Sequence, residues 1–458
     1  MFMFDWQELV EAAAARVVPA DIPLPAVSVI GTDTRTLGHG DMFLALRGEH
    51  FDGHEFAAAA VDQGAAALCV DEQMVDAIVT ATGGTTPCLC VGDTLAAYQA
   101  IARLHRGNFP NLKMVAITGS SGKTSTRTIV GSVLSQYFDG AVLTTTANTN
   151  NHVGVPQNLL RLTPEHRGAV LELGTSGPGE IRLLTALAEP DIAILTNVGP
   201  VHLEGLGSID GVVREKAGVF SKLGDHGSAI LPVHLRHHPQ IAPSLPVDRV
   251  VTVGNAGDGA DVEVTYCGGD LTSARVSVCR GGRDVEFSWA LPGAHQAMNA
   301  GIAFAVAQVL GIEDDCIVEG LAACRLPEMR TRIVEHDGVT WINDAYNANP
   351  DSVKALLDWL ASASHSCGHV HIVLGDMLEL GPDTSQYHAR VLAYACERLP
   401  NAGILPFGPL MAKAARSFGL DAFEDIEDLR QHIASHVAAG DLIAVKASRG
   451  MALERIIP

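Results

Sequence analysis

Residues 113–125 read KMVAITGSSGKTS: an apolar run, a turn of glycine and serine, then Lys-Thr at the head of a segment of helical length. No other feature narrows the fold as much. A strand that passes through a glycine turn straight into a helix belongs to a βαβ unit, and such units build a parallel sheet covered by helices. Each part of the string also has a chemical reason. Gly119 and Gly122 let the backbone curl until successive N–H groups point inward. The helix N-terminus adds partial positive charge. Lys123 supplies a full charge to the β and γ phosphates of a nucleotide, and the Thr124 hydroxyl can ligate Mg²⁺. Gly119, Ser120, Ser121, Gly122, Lys123, Thr124 and Ser125 together form a candidate phosphate cradle. Ile117 stands where the longer G-x-x-x-x-G-K-T spacing wants glycine, so this is the shorter G-x-x-G-K-T form. The competing reading is an ordinary glycine turn.

The surrounding sequence splits by texture into three parts. Residues 1–110 alternate short apolar runs (Ala26–Ile30, DMFLALRG, AAALCV, PCLCV) with helical stretches at Glu55–Gln63 and Thr94–Asn108, and read as a small α/β domain. Residues 111–326 carry the phosphate loop, with AVLELG and DIAILTNV as further buried strands of a central parallel sheet. Between residues 250 and 290, VVTVG, DVEVTYCGG, ARVSVCRGG and VEFSWAL are separated by glycine turns and predict antiparallel hairpins. Residues 327–458 hold four more strand-like runs alternating with helices, a second doubly wound, Rossmann-like pattern. The fold class is therefore α/β in three domains.

Composition sets outer bounds. Of 458 residues, 47% are hydrophobic and 18% charged, enough for a large core and too apolar for wholesale disorder. The net charge of −21 disfavours non-specific binding to nucleic acid or anionic membrane. Ala294–Ile312 has no formal charge, yet it contains His295, Gln296, Asn299 and Gln308, which argues for a buried helix and no membrane insertion. The N-terminal MFMFDWQELV lacks the Lys or Arg of a secretory signal, and the nine cysteines show no zinc-type spacing. Reduced thiols in a cytoplasmic protein are expected. A monomer is the default.

Other candidates are less specific one by one. Glu172, at the end of a predicted strand, sits where α/β sheets open their crevices. It reads equally as a Mg²⁺ ligand or as a carboxylate pairing with a nearby loop. His202 follows another strand end, where a packed or surface histidine is the competing reading. Lys216 lies among Arg214 and Glu215 on a helix, and a charge run there ordinarily marks a solvated face. His234, His237 and His238 look like a metal cluster, but their Pro-rich, basic setting predicts a surface loop.

Taken together and in order, TGSSGKTS, TTANTNNHVGVPQNLL, LELGTS, TNVGPVHLEGLGS, LPGAHQAMNA, INDAYNANPDS and LGDMLELG resemble the Mur ligases, ATP-dependent amide-forming enzymes of peptidoglycan precursor synthesis. The likeness spans nearly the whole chain. DTRTLGHGDMFLALRGEHFDGHEF and NDAYNANPDS with GDMLELG are similar to the branch of that family that joins D-alanyl-D-alanine to UDP-N-acetylmuramoyl-tripeptide. The resemblance implies a domain for the UDP sugar-peptide, a central ATPase and a C-terminal domain for ATP and the amine. It implies ATP and two Mg²⁺ ions, with Thr124 and Glu172 as ligands of one, and His202 and a CO₂-carbamylated Lys216 as ligands of the other. His295 and Asn299 match the pattern that faces adenine, and spaced four apart on a helix they share a face. Arg330 would reach phosphate and Asp344 ribose. Asn347 and Asn349 would shape the dipeptide site, while Arg35, Asn150 and Asn151 would hold the UDP sugar-peptide. Ala217-Gly218 after the lysine, Arg332, and Ala447 in the tail depart from the family pattern.

The implied chemistry is coherent. A carboxylate is a poor acyl donor, and phosphorylation by ATP turns it into an acyl phosphate that an amine can attack. Two rivals remain at this level. One is another amide ligase of the superfamily, such as folylpolyglutamate synthase. The other is a P-loop ATPase or nucleotide-regulated interaction protein without ligase chemistry.

Overall fold

The computed structural model describes residues 2–48, 50–224, 226–365 and 367–458. The chain divides into two compact units: residues 1–114, 141–173 and 183–189 form the first, and residues 115–140, 174–182 and 190–458 the second.

In the first unit, a five-stranded sheet runs in the order Arg16–Val18, Cys88–Val91, Ala67–Asp71, Met42–Leu44, Ile30–Gly31. It is parallel except at the Arg16–Val18 edge. Side chains alternate between faces with the period of two that a strand imposes. Met42, Leu44, Cys69 and Leu89 pack with Leu9, Tyr98 and Ile101 on one face, while Phe43, Leu68, Val70, Cys88 and Cys90 pack with Ala57 and Ile78 on the other. Helix Thr94–Gly107 is started by Asp93, whose carboxylate accepts from the N–H groups of Leu95 and Ala96. The expected strand at Ala26–Ile30 is mostly absent. Val27 instead makes one antiparallel bridge to Phe4, and the ladder begins only at Ile30. The unit also holds the parallel pair Val142–Thr144 and Gly168–Glu172.

In the second unit, the strand that leads into the phosphate loop pairs in parallel with Ile192–Leu195. Ile192–Leu195 is followed across the sheet by Ser228–Pro232, Val250–Asn255, Val262–Gly269, Ala274–Arg280 and Arg283–Trp289. The expectation of antiparallel hairpins over residues 250–290 holds for the last three strands alone. Val250–Asn255 is parallel to both neighbours. The Asp261 carboxylate accepts from both the N–H and the hydroxyl of Thr252, and this tie returns the chain alongside itself.

The apolar stretch near residue 300 is the helix Ala294–Leu310, buried through Ala297, Ala300, Phe304 and Val306. Among the described residues, no helix is long and apolar enough to cross a membrane. The last sheet orders its strands Arg332–His336, Val339–Asn343, Leu442–Lys446, Val370–Gly375 and Gly403–Phe407. All are parallel but the first, an antiparallel edge that the hydrophobic pattern did not predict. None of the nine cysteines forms a disulfide.

Candidate functional site

The phosphate loop joins strand Lys113–Thr118 to helix Lys123–Tyr137, the boundaries its sequence predicts. Gly119 has φ +153°, and a Cβ there would lie 1.9 Å from the Thr196 hydroxyl oxygen, so only glycine fits. Gly122 has φ +75° and starts the helix with Asn299 alongside. The loop is held by the turn after strand Ile192–Leu195. Asn197 accepts from the Ser121 N–H through its side-chain oxygen (2.8 Å) and donates to the Ser121 hydroxyl (2.5 Å). Thr196 donates to the Ser121 carbonyl (2.6 Å), and the Ser120 hydroxyl exchanges bonds with both polar groups of the Gly199 backbone. Lys123 folds back to donate to the Gly119 carbonyl (2.8 Å), which puts its ammonium over the loop. Ser125 is buried in the first turn of the helix. Thr196 and Asn197 were legible only as part of the TNVGPVH string, which gave them no role.

Helix Ala294–Leu310 brings Asn299 to the loop: its side-chain oxygen accepts from Thr126 (3.1 Å), and its amide donates to Gln296 (3.0 Å). His295, one turn earlier, is half-buried. Desolvation pushes its pKa down to about 4, with Asp344 pulling upward and Lys446 downward, so the ring is neutral at pH 7.

Residues after 327 close on the same place. Arg330 stands between Met329 (φ +59°) and Thr331 (φ +53°), two left-handed non-glycine residues. Its guanidinium donates to the Thr124 hydroxyl (3.2 Å) and stacks over the Tyr346 ring at 4.1 Å. Asp344, at the end of strand Val339–Asn343, pairs with the buried Lys446 at 2.5 Å. Lys446 also donates to the Asn347 carbonyl (3.0 Å). Lys446 was missed at the sequence level, because it lies 102 residues from its partner. Asn349 caps helix Pro350–Ala363 in a reciprocal box with Ser352, so its side-chain oxygen has a structural task.

His202 has φ +50°, and its Nδ1 bonds the Glu379 carboxylate. That bond is the main cause that holds Glu379 below the ordinary carboxylate range. Lys216 has no exposed surface, and Glu215 beside it is buried too. The solvated-face reading of this charge run is therefore overturned, and Arg214 alone faces water. Glu215 is spent on the turn at residues 179–181, accepting from the N–H groups of Gly179 (2.6 Å) and Ile181 (2.7 Å). His234 and His237 are exposed, as a surface loop predicts.

The remaining predicted residues lie in the first unit. Glu172 is buried, and the Asn150 amide donates to it (2.9 Å), the pairing that spacing alone had left open. Asn151 accepts from the Gly154 N–H (2.9 Å) at the start of helix Gly154–Leu159. Arg35 is largely exposed and paired with Asp33 at 2.7 Å; its bonds hold the Asp33 carboxyl at about 2.

Among the described residues, no group of three or more His, Cys, Asp or Glu side chains converges on one point. Thr124 offers a hydroxyl and His202 an imidazole in the second unit, and Glu172 a carboxylate in the first. A Mg²⁺ ion, which keeps several of its waters, needs few such donors from protein.

Comparison with known proteins adds to this geometry. Residues 117–307 match the Mur ligase middle domain, residues 329–449 the Mur ligase glutamate ligase domain, and residues 26–88 the catalytic domain of the Mur ligase family. The UDP-N-acetylmuramoyl-tripeptide–D-alanyl-D-alanine ligase of Treponema pallidum is 34% identical over 444 residues, 94% of this chain and 93% of the relative. The crystal structure of MurF from Acinetobacter baumannii superposes with a TM-score of 0.89 at 31% identity, covering 100% of this chain and 98% of that one. MurF from Thermotoga maritima in complex with ADP superposes with a TM-score of 0.82 at 26% identity, covering 94% and 96%.

Proposed function

The chain belongs to the Mur ligase family, and from that membership we infer that it is the ATP-dependent ligase that joins D-alanyl-D-alanine to UDP-N-acetylmuramoyl-tripeptide in peptidoglycan precursor synthesis. The observation that carries the reading is the convergence of Lys123, Thr124, Asn299 and Arg330 on one braced phosphate loop.

Roles follow from side-chain chemistry. Lys123 and the loop amides hold the β and γ phosphates, which are otherwise repelled by the anionic substrate carboxylate. Arg330 leaves the Thr124 hydroxyl for phosphate and so frees that oxygen for a cation. Neutral His295, with Asn299, faces adenine, and Asp344 faces ribose. Thr124 and Glu172 are proposed Mg²⁺ ligands, as are His202 and a carbamylated Lys216. Bound Mg²⁺ supplies charge stabilisation to the transferring phosphoryl group. Arg35, Asn150 and Asn151 contact the UDP sugar-peptide, and Asn347 and Asn349 the dipeptide. Residues 1–110, 111–326 and 327–458 are the corresponding functional domains.

The reaction balances in two steps. A carboxylate oxygen of the tripeptide takes the γ-phosphoryl group and ADP leaves. The free amine of the dipeptide then attacks the carbonyl carbon, loses a proton, and phosphate departs with the carboxylate oxygen. Water would intercept the acyl phosphate, so closure of the C-terminal domain over the central one belongs to the scheme. The protein acts as a monomer in the cytoplasm on small-molecule substrates.

The test is mass spectrometry of the product formed from ATP, the UDP-tripeptide and D-alanyl-D-alanine. The expected product is the UDP-muramoyl-pentapeptide, with ADP and phosphate. ATP hydrolysis indifferent to the amine would overturn the ligase reading.

A further inference from the structure

Two loops far apart in sequence meet at His202 and Glu379. Both residues adopt the left-handed conformation, φ +50° and φ +63°, which non-glycine residues hold only when their surroundings demand it. They are tied twice. The imidazole Nδ1 bonds the Glu379 carboxylate, and the Leu203 N–H donates to the Glu379 carbonyl at 2.8 Å. Behind them Val201, Leu203 and Val212 form a small apolar cluster, against which Tyr387 from helix Thr384–Arg398 packs. The contact is therefore a built junction between the central part of the chain and its C-terminal part. A carboxylate only accepts hydrogen bonds, so Nδ1 carries a proton, and in the neutral imidazole this leaves the lone pair on Nε2.

We propose that Glu379 is a positioning residue for His202. It fixes the imidazole in the tautomer whose Nε2 can ligate a metal, and it does so only while the C-terminal part is docked. The inference rests on the reading of His202 as a Mg²⁺ ligand. It makes the metal site conditional on the same docking that shields the acyl phosphate. Partners of this kind, behind a ligating histidine, are worth roughly 10–100-fold in metal affinity.

The experiment uses the full chain. The Mg²⁺ dependence of binding of the β,γ-methylene analogue of ATP is measured by calorimetry for wild type, His202→Ala, Glu379→Ala and Glu379→Gln. Nitrogen-15 NMR follows the His202 ring, identified by the loss of its signal in His202→Ala. The expected result is a rise of roughly ten-fold in half-saturating Mg²⁺ for His202→Ala and for Glu379→Ala. Glu379→Gln, whose amide oxygen still accepts from Nδ1, should show a smaller rise. Wild type should show the Nδ1-protonated tautomer and Glu379→Ala a mixture. An unchanged Mg²⁺ dependence in His202→Ala would remove the ligand reading, and the proposal with it. A shift in His202→Ala beside wild-type behaviour and an unchanged tautomer in both Glu379 variants would overturn the positioning role alone. If Glu379→Ala fails to fold, Glu379→Leu, which also lacks an acceptor for Nδ1, takes its place in both measurements.

Discussion

The phosphate loop and the groups that meet it from the C-terminal part are held in different ways. The loop takes its shape from backbone geometry at Gly119 and Gly122 and from one neighbouring turn, Thr196 to Gly199. The opposing groups are held by side-chain pairs across long sequence distances: Arg330 to Thr124 over 206 residues, Glu379 to His202 over 177, Lys446 to Asp344 over 102. A loop of the first kind is ready before any ligand arrives. On the proposed roles, Arg330 is the group that exchanges its partner, leaving the Thr124 hydroxyl when a triphosphate enters. The scaffold is thus preorganised on one side and adaptable on the other, which suits an enzyme that must admit three substrates and then exclude water.

The sharpest way to break this comparison is Lys123→Ala. If the loop is shaped by its backbone, the fold survives while the phosphate charge is lost. We expect a fall of roughly 10³-fold in kcat with an unchanged melting temperature. Phosphate-release kinetics and thermal melting check the two halves, and wild-type turnover would refute the loop's role. Next in size is Lys216→Ala, which removes a fully buried side chain. A rate loss of roughly 10²-fold, partly restored by a short carboxylic acid, is expected if the lysine works as a carbamate. An undiminished rate would exclude that role.

The same division explains what could be read from the sequence. The phosphate loop was legible because its information is local: a strand, two glycines and Lys-Thr within thirteen residues. The braces of that loop were not, because Asn197 acts through a carboxamide that no periodicity marks. Lys216 shows the limit from the other side. Its neighbours Arg214 and Glu215 look like a solvated face, yet tertiary packing buries Glu215 and Lys216 and leaves only Arg214 in water. The antiparallel edge Arg332–His336 was missed because its pairing depends on Val339–Asn343 and not on its own composition. Val250–Asn255 was misread because a hydrophobic run does not state whether its neighbours are parallel. Glu379 lay inside the string LGDMLELG, but the histidine it serves is too distant for spacing to suggest.

Asn197→Ala tests the preorganised side at moderate cost. It deletes two bonds to Ser121, at 2.8 and 2.5 Å, while Thr196 and Gly199 keep theirs. Bonds of this kind are worth about 1 kcal/mol each, so a rise of roughly 30-fold in KM for ATP is expected with kcat less affected. A change in kcat alone would mean that Asn197 acts on the transferring group and not on the loop.

The smallest expected effect probes the adaptable side through His295. Its ring lies on the central helix, but the charges that tune it, Asp344 and Lys446, come from the C-terminal part. Burial lowers the native pKa to about 4 against an ordinary value near 6.5. Between those values the unfolded chain binds a proton that the native ring does not, so stability falls as pH drops from about 6.5 towards 4. Lys446→Met removes the cation that pushes the ring down and leaves Asp344 to pull it up. The His295 pKa should then rise by up to about one unit, worth about 1 kcal/mol, and the acid-side loss of stability should shrink accordingly. NMR titration of the ring, with denaturant melts at several pH values, reads both. An unmoved pKa would mean that desolvation alone tunes His295, and that the C-terminal part does not reach this ring electrostatically.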